Sequence, residues 1–192
     1  KNIMYLLVGL GNPGSKYKKN RHNVGYLTVD IIAKKYDFIK KGRNKFGDVF
    51  EGKISNTKIF ALKPKDFMNL SGVSIKKFLD FYKINIKNLL VIHDDIDLPL
   101  GKIKIKIGGG HAGHNGLKSI DTVIGKNYKR IRIGIDKPKN NKNVDKFVLG
   151  NFEKKEEKEI IFSINRVTSF LQYLISSDAN DISILMNKLS KK

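Results

Sequence analysis

Two short runs, Tyr5-Leu-Leu-Val-Gly-Leu10 and Leu89-Leu-Val-Ile92, carry almost no polar side chain. The first reads as a buried strand stopped by the turn at Gly11-Asn-Pro-Gly14, and the second, having no polar face, has to be covered on both sides, which places it at the centre of a sheet with one layer above it and one below. Two further segments, Lys102-Ile-Lys-Ile-Lys-Ile107 and Arg130-Ile-Arg-Ile-Gly-Ile135, alternate strictly. A period of two predicts half-buried strands with Lys102, Lys104, Lys106, Arg130 and Arg132 turned outward. Phe46 to Ile54 and Lys58 to Lys63 read as a strand pair joined at Asn56-Thr57. Between these lie segments of helical spacing: Asn23 to Tyr36, Val73 to Tyr82 with Ser71 as its cap, Leu117 to Ile124, a long amphipathic stretch from Lys154 to Ile175, and a last short one from Asp178 to Leu189. Strands and helices that alternate in this way predict an α/β fold, a three-layer sandwich in which a twisted mixed sheet carries helices on both faces. Residues 1–192 are expected to form a single domain, because the one linker-like stretch, the basic loop 136–146, is too short to separate two.

Composition narrows the classes of function. The chain has no cysteine, which removes disulfides, thiolate nucleophiles and Cys-ligated zinc and fits a reducing compartment. No stretch approaches the ~20 apolar residues of a membrane span, and the chain enters its first strand without a cleavage-like segment, so a cytoplasmic protein is expected. A formal net charge of +20 points to an acidic partner, most often a nucleic acid. Part of it reflects a general richness in Lys, Asn and Ile, so where the charge lies matters more than its sum.

Gly9-Leu-Gly-Asn-Pro-Gly14 matches a dinucleotide fingerprint and follows a strand, yet it lacks the helix that must start at the second glycine to face a pyrophosphate. Pro13 and the polar run behind it delay any helix to about Asn23, so the loop is read as presenting Asn12 from a strand end. All four histidines sit in short motifs rich in Asn, Asp and Gly: Arg21-His-Asn23, His93-Asp-Asp95, and the glycine-dense Gly108 to Gly116 with His111 and His114-Asn115. An imidazole that moves a proton near neutral pH needs a neighbouring acceptor to fix its free nitrogen, and these are such neighbours. Asp94, at the end of a buried strand, is placed to hold a histidine. A metal site on His93, Asp94 and His111 is the competing arrangement, but its spacing is poor: Asp94 and Asp95 point to opposite sides of an extended chain, and no His pair shares a helix face. The glycine loop can bring backbone amides close to an anion or a carbonyl oxygen.

In order and spacing, Val8-Gly-Leu-Gly-Asn-Pro-Gly14, Tyr17, Arg21-His-Asn23, Phe67-Met-Asn-Leu-Ser-Gly72, His93-Asp94 with Asp97-Leu-Pro99, Gly108 to Lys118, Arg130-Ile-Arg-Ile-Gly134 and Phe147-Val-Leu-Gly150 resemble bacterial peptidyl-tRNA hydrolase. The resemblance implies an enzyme that cleaves the ester between a peptide and the 3′ end of tRNA and so recycles stalled peptidyl-tRNA, as a cytoplasmic monomer needing neither metal nor cofactor. It further implies that His22 is the general base, that Asp94 stabilises it, and that Asn12 contacts the peptide side of the ester. Tyr17, Phe67, Asn69 and Asn115 would hold the tRNA 3′ end and the first peptide units, Met68 would form an apolar wall, and Lys106 with Arg132 would grip the tRNA 5′ phosphate. The chain departs from the family pattern at Asp136, where Gly is common, and at Asn151, where Lys is common. Which of Asn12, Asn69, Asn115 or the loop amides meets the oxyanion stays open at this level. The alternatives are a non-catalytic RNA-binding protein on the same scaffold and a metal-dependent hydrolase.

Overall fold

A computed structural model describes residues 3–43, 45–138, 143–176 and 179–190. The element order is β1 (Met4–Gly9), α1 (Val24–Lys35), β2 (Ile39–Arg43), β3 (Gly47–Ile54), β4 (Thr57–Pro64), α2 (Ser71–Tyr82), β5 (Leu89–Asp95), β6 (Ile103–Ile107), α3 (Asn115–Ile124), β7 (Lys129–Gly134), α4 (Val144–Val148), α5 (Lys154–Ser169), α6 (Leu171–Ser176) and α7 (Ala179–Ser190). The strands form one sheet in the order β2-β3-β4-β1-β5-β7-β6. β4, β1, β5 and β7 run parallel at its centre, while β2 and β3 extend it antiparallel at one edge and β6 at the other.

The apolar runs at β1 and β5 are central, and alternate residues feed two cores. Leu7, Leu90 and Ile92 point toward α1 and α5, where Val29, Ile32, Ile160 and Ile164 close over them. Leu6, Val8, Leu89 and Val91 point the other way, toward Ile75, Phe78, Leu117 and Ile120 of α2 and α3. The result is the expected three-layer sandwich with a mixed sheet.

Local differences have local causes. Ser71 does not cap α2: it is the first helical residue, and its hydroxyl donates to the Met68 carbonyl at 2.9 Å. The hairpin turns at Ser55-Asn56, one residue early, because Ile54 and Thr57 are themselves paired. The long C-terminal helix breaks at Phe170, where the Thr168 and Ser169 hydroxyls both donate to the Asn165 carbonyl and compete with the backbone ladder. β2 had no hydrophobic signal. Ile39-Lys-Lys-Gly-Arg43 is an edge strand whose lysines and bulge suit a side left without a partner. Residues 139–142 of the expected basic loop, and Asp178 at the expected start of the last helix, lie outside the described residues.

Candidate active site

The parallel strands end together, and in open α/β sheets that edge is where ligands bind. β1 delivers Asn12 just beyond its end, β5 delivers Asp94, and the turn before α1 delivers His22. α1 reaches the sheet because glycine meets backbone there: a Cβ on Gly9 would fall on the Gly25 carbonyl, and one on Gly25 would fall on Ile92 and Leu10 backbone atoms.

His22 Nδ1 lies 2.9 Å from both carboxylate oxygens of Asp94, and His114 Nε2 lies 3.0 Å from Oδ1 of the same carboxylate. The partners assign the tautomers. His114 Nδ1 accepts from the Gly116 and Leu117 amides at 3.1 and 3.3 Å, so its proton sits on Nε2 and is donated to Asp94. His22 in turn donates its Nδ1 proton, which leaves Nε2 with a lone pair. Burial by itself would push the His22 pKa down, but the charge and hydrogen bond of Asp94, with a smaller pull from Asp145, outweigh it and hold it above the ordinary 6.5. Burial would push Asp94 up, and the two histidines more than offset this and keep it ionised well below the usual carboxylate range. His93 sits behind the group with its ring 5.1 Å from that of His114. Burial, and then the neighbouring His114, push its pKa down to about 3, so it is neutral and its Nδ1 donates to the Asp94 carbonyl.

The His22–Asp94–His114 group replaces the His93, Asp94 and His111 set considered from sequence, and its three donor atoms lie within 4.8 Å of one another. It fits a metal poorly. An ion on His114 Nε2 would force the ring proton onto Nδ1, against the two backbone N–H groups that Nδ1 now caps.

Asn12 is held three ways. Its backbone N–H donates to Asn23 Oδ1 and its carbonyl accepts from Asn23 Nδ2, both at 2.9 Å, while its own Oδ1 accepts from the Met68 N–H at 2.8 Å. The side chain is left with its amide N–H donors. Met68 is buried, and Gly116 packs against it beside Leu10. Tyr17 and Phe67 meet edge to face with centroids 6.3 Å apart, and Asn69 and Asn115 are exposed. A cleft of about 350 Å³ joins His22, Asp94 and Asn115 to Lys106 and Arg132.

One expectation changes. Arg130 is not an outward basic residue: it is 2% exposed, its guanidinium ties the Gly109 and Gly110 carbonyls at 2.9 Å and pairs with Asp121 at 3.1 Å, and it braces the glycine loop from beneath. His114, a loop histidine in the sequence, is the second histidine on Asp94. The available signal was its position just before the helix that starts at Asn115, where as N-cap its Nδ1 accepts from first-turn amides and so is fixed as the unprotonated ring nitrogen. His111 closes a turn, accepting from the Gly113 N–H at 3.1 Å. Asp136 adopts a left-handed φ of 64°, the conformation that glycine favours, and its carboxylate accepts from the Leu100 N–H at 3.0 Å. Asn151 bridges Asn20, and its carbonyl accepts from Arg21 at 2.9 Å.

A family model described as peptidyl-tRNA hydrolase matches residues 6–192. The peptidyl-tRNA hydrolase of Rickettsia canadensis is 42% identical over 97% of this chain and 100% of its own length, and that of Rickettsia prowazekii is 48% identical over 86% and 90%. The crystal structure of peptidyl-tRNA hydrolase from Acinetobacter baumannii superposes with a TM-score of 0.90 at 38% identity, covering 99% of this chain and 95% of that one.

Proposed function

The chain belongs to the peptidyl-tRNA hydrolase family and hydrolyses peptidyl-tRNA, and we propose that His22 is the general base of that reaction, with Asp94 and His114 fixing its state. The observation that carries this is the pair of hydrogen bonds converging on Asp94: one locks His114 as a donor, the other leaves His22 Nε2 as the free acceptor. A water donates its proton to Nε2 as its oxygen attacks the ester carbonyl carbon. The electron pair displaced onto the carbonyl oxygen is met by N–H donors, of which the Asn12 side-chain amide is the pre-set one, since its oxygen is already engaged. Collapse then expels the ribose oxygen, which takes the proton back from the imidazolium. Ser71 is no rival nucleophile, because its buried hydroxyl is held by the Met68 carbonyl.

Tyr17 and Phe67 offer an aromatic platform for terminal bases, each stacked base being worth roughly 1–3 kcal/mol, with Asn69 and Asn115 at the rim and Met68 as the wall. Lys106 and Arg132 hold a phosphate of the tRNA. This placement fits an enzyme that accepts many tRNAs, because phosphate contacts position without reading sequence. Lys106→Ala and Arg132→Ala each weaken tRNA binding and flatten its dependence on salt by about 0.7–0.9 in log-log slope, one phosphate contact's worth; an unchanged slope in titrations at several ionic strengths moves the tRNA path elsewhere. The protein acts without metal or cofactor, as a cytoplasmic monomer and a single catalytic domain over 1–192. No helix among the described residues is long and apolar enough to cross a membrane.

The test follows release from an N-acetylated aminoacyl-tRNA against pH, with and without chelator. The active form needs His22 deprotonated, so kcat/KM climbs with pH through a midpoint above 6.5, as the raised pKa requires. Asp94→Asn removes the charge that raises it, moves that limb to lower pH, and lowers the plateau by as much as ~10⁴, the scale known for an orienting carboxylate turned amide in a serine-protease triad. A limb that stays in place means another group titrates; loss of activity in chelator means a metal takes part.

A further inference from the structure

Resting on the reading of Arg132 as a phosphate ligand, we propose that Asp95 is the positioning residue for that ligand, holding the guanidinium by its Nε edge so that the terminal nitrogens face the cleft. Arg132 Nε donates to Asp95 Oδ2 over 2.6 Å, and Asp95 Oδ1 accepts from the Asp97 N–H at 2.9 Å, so the carboxylate is fixed through both oxygens. The Asp95 side chain is 8% exposed and that of Arg132 22%: the anion is the buried anchor and the cation the part that reaches solvent.

The neighbouring strands explain why an anchor is required. Lys104 of β6 stands directly across from Arg132, with Lys106 on the same face one step along, and facing like charges repel. On the other side, His93 of β5 is in register with Arg132, but it is neutral and gives no counter-charge. Asp95 lies two residues farther along β5 on the same face. A guanidinium gripped through Nε keeps the four N–H donors of its terminal nitrogens in a fixed plane, the geometry for two-point contact with a phosphate. Released, the same side chain is pushed by Lys104 and Lys106 away from the groove.

The inference has an unusual sign. Removing an acidic residue from a surface that binds polyanions strengthens binding if only through-space charge counts; a lost anchor weakens it. We would measure Kd for a deacylated acceptor-stem RNA with a 5′ phosphate and with a 5′ hydroxyl, for the wild type, Arg132→Ala, Asp95→Ala, Asp95→Asn and Asp95→Glu. The wild type favours the phosphorylated RNA. Asp95→Ala and Asp95→Asn lose about tenfold in affinity for it, the low end of what hydrogen bonds to charged groups are worth, and little for the hydroxyl form; Asp95→Glu, which keeps a carboxylate, restores most of the preference. KM rises while kcat at saturating N-acetylaminoacyl-tRNA holds. If Arg132→Ala abolishes the preference and the Asp95 variants keep or increase it, Asp95 does not position Arg132. A drop in kcat in place of the rise in KM means that Asp95 acts through its neighbour Asp94, which also overturns the proposal. If Arg132→Ala leaves the preference intact, the clamp itself fails and the proposal falls with it.

Discussion

His22→Ala lowers the single-turnover rate of ester cleavage by about 10²–10⁴-fold, the range that one general base supplies, and leaves the affinity for deacylated tRNA nearly unchanged. The separation follows from the geometry. In the proposed reaction His22 offers the substrate Nε2 alone, since Nδ1 is committed to Asp94, and the proposed phosphate ligands Lys106 and Arg132 stand on a different part of the cleft wall, on β6 and β7. The fold survives because Asp94 is not stranded: His114 still donates to it, and a buried carboxylate with one strong partner avoids most of the cost of an unpaired charge. The residual activity also loses the acid limb that His22 titration imposes on the wild type. Filter binding and single-turnover assays on the same preparation decide the matter, and affinity falling in parallel with rate makes His22 a ligand or a structural residue.

Gly25→Ala acts on the same site through the fold. A methyl group at position 25 lands on the Ile92 carbonyl and on both the N and O of Leu10, which are joined by a 2.9 Å hydrogen bond between β1 and β5. Backbone cannot swing aside as a side chain does, so α1 must lift away from the sheet at a cost of about 1–3 kcal/mol or more. In a chain of this size each kcal/mol lowers Tm by roughly 2–4 °C. Position 25 lies three residues after His22, and Ile92 two before Asp94, so the lift opens the 2.9 Å pair directly. A displacement of ~1 Å can cost on the order of 10²-fold in rate, and activity falls further than the loss of folded protein explains. Gly110→Ala is the control for stability: among the described residues nothing lies within 4 Å of where a Cβ would stand, and Tm stays put. Equal Tm for the two variants would refute the close approach as the determinant.

Much of this was legible in the chain. Leu89-Leu-Val-Ile92 had to be central because it has no face that tolerates water, and β5 has neighbours on both edges and a core on both faces. Asn12, His22 and Asp94 were legible as candidates for the proposed site because each stands in a short polar motif at the end of a strand or the start of a helix. β2 was not, since an edge strand kept soluble by lysine carries no apolar period. The break at Phe170 was not either, because the hydroxyls that compete for the Asn165 carbonyl are neutral to the hydrophobic pattern on which the long helix was read.

Arg130 and Arg132 mark the boundary between the two kinds of information. A period of two puts both on the same face of β7, and nothing in Arg-Ile-Arg-Ile separates them. α3 and the glycine loop cover the first, where Asp121 and two carbonyls take its guanidinium, and leave the second at the open end of the strands beside Asp95. His114 shows the same limit, being a loop histidine in sequence and a partner of Asp94 only because Gly108 to Gly113 fold back on Arg130. Sequence by itself determined which residues face which side, because the pleat and the helical turn fix direction from spacing alone. What lies across from each face, and so whether a charge becomes a buried strut, as at Arg130, or stays at the open end of the strands, as at Arg132, depends on elements distant in the chain, and only the tertiary structure decided it.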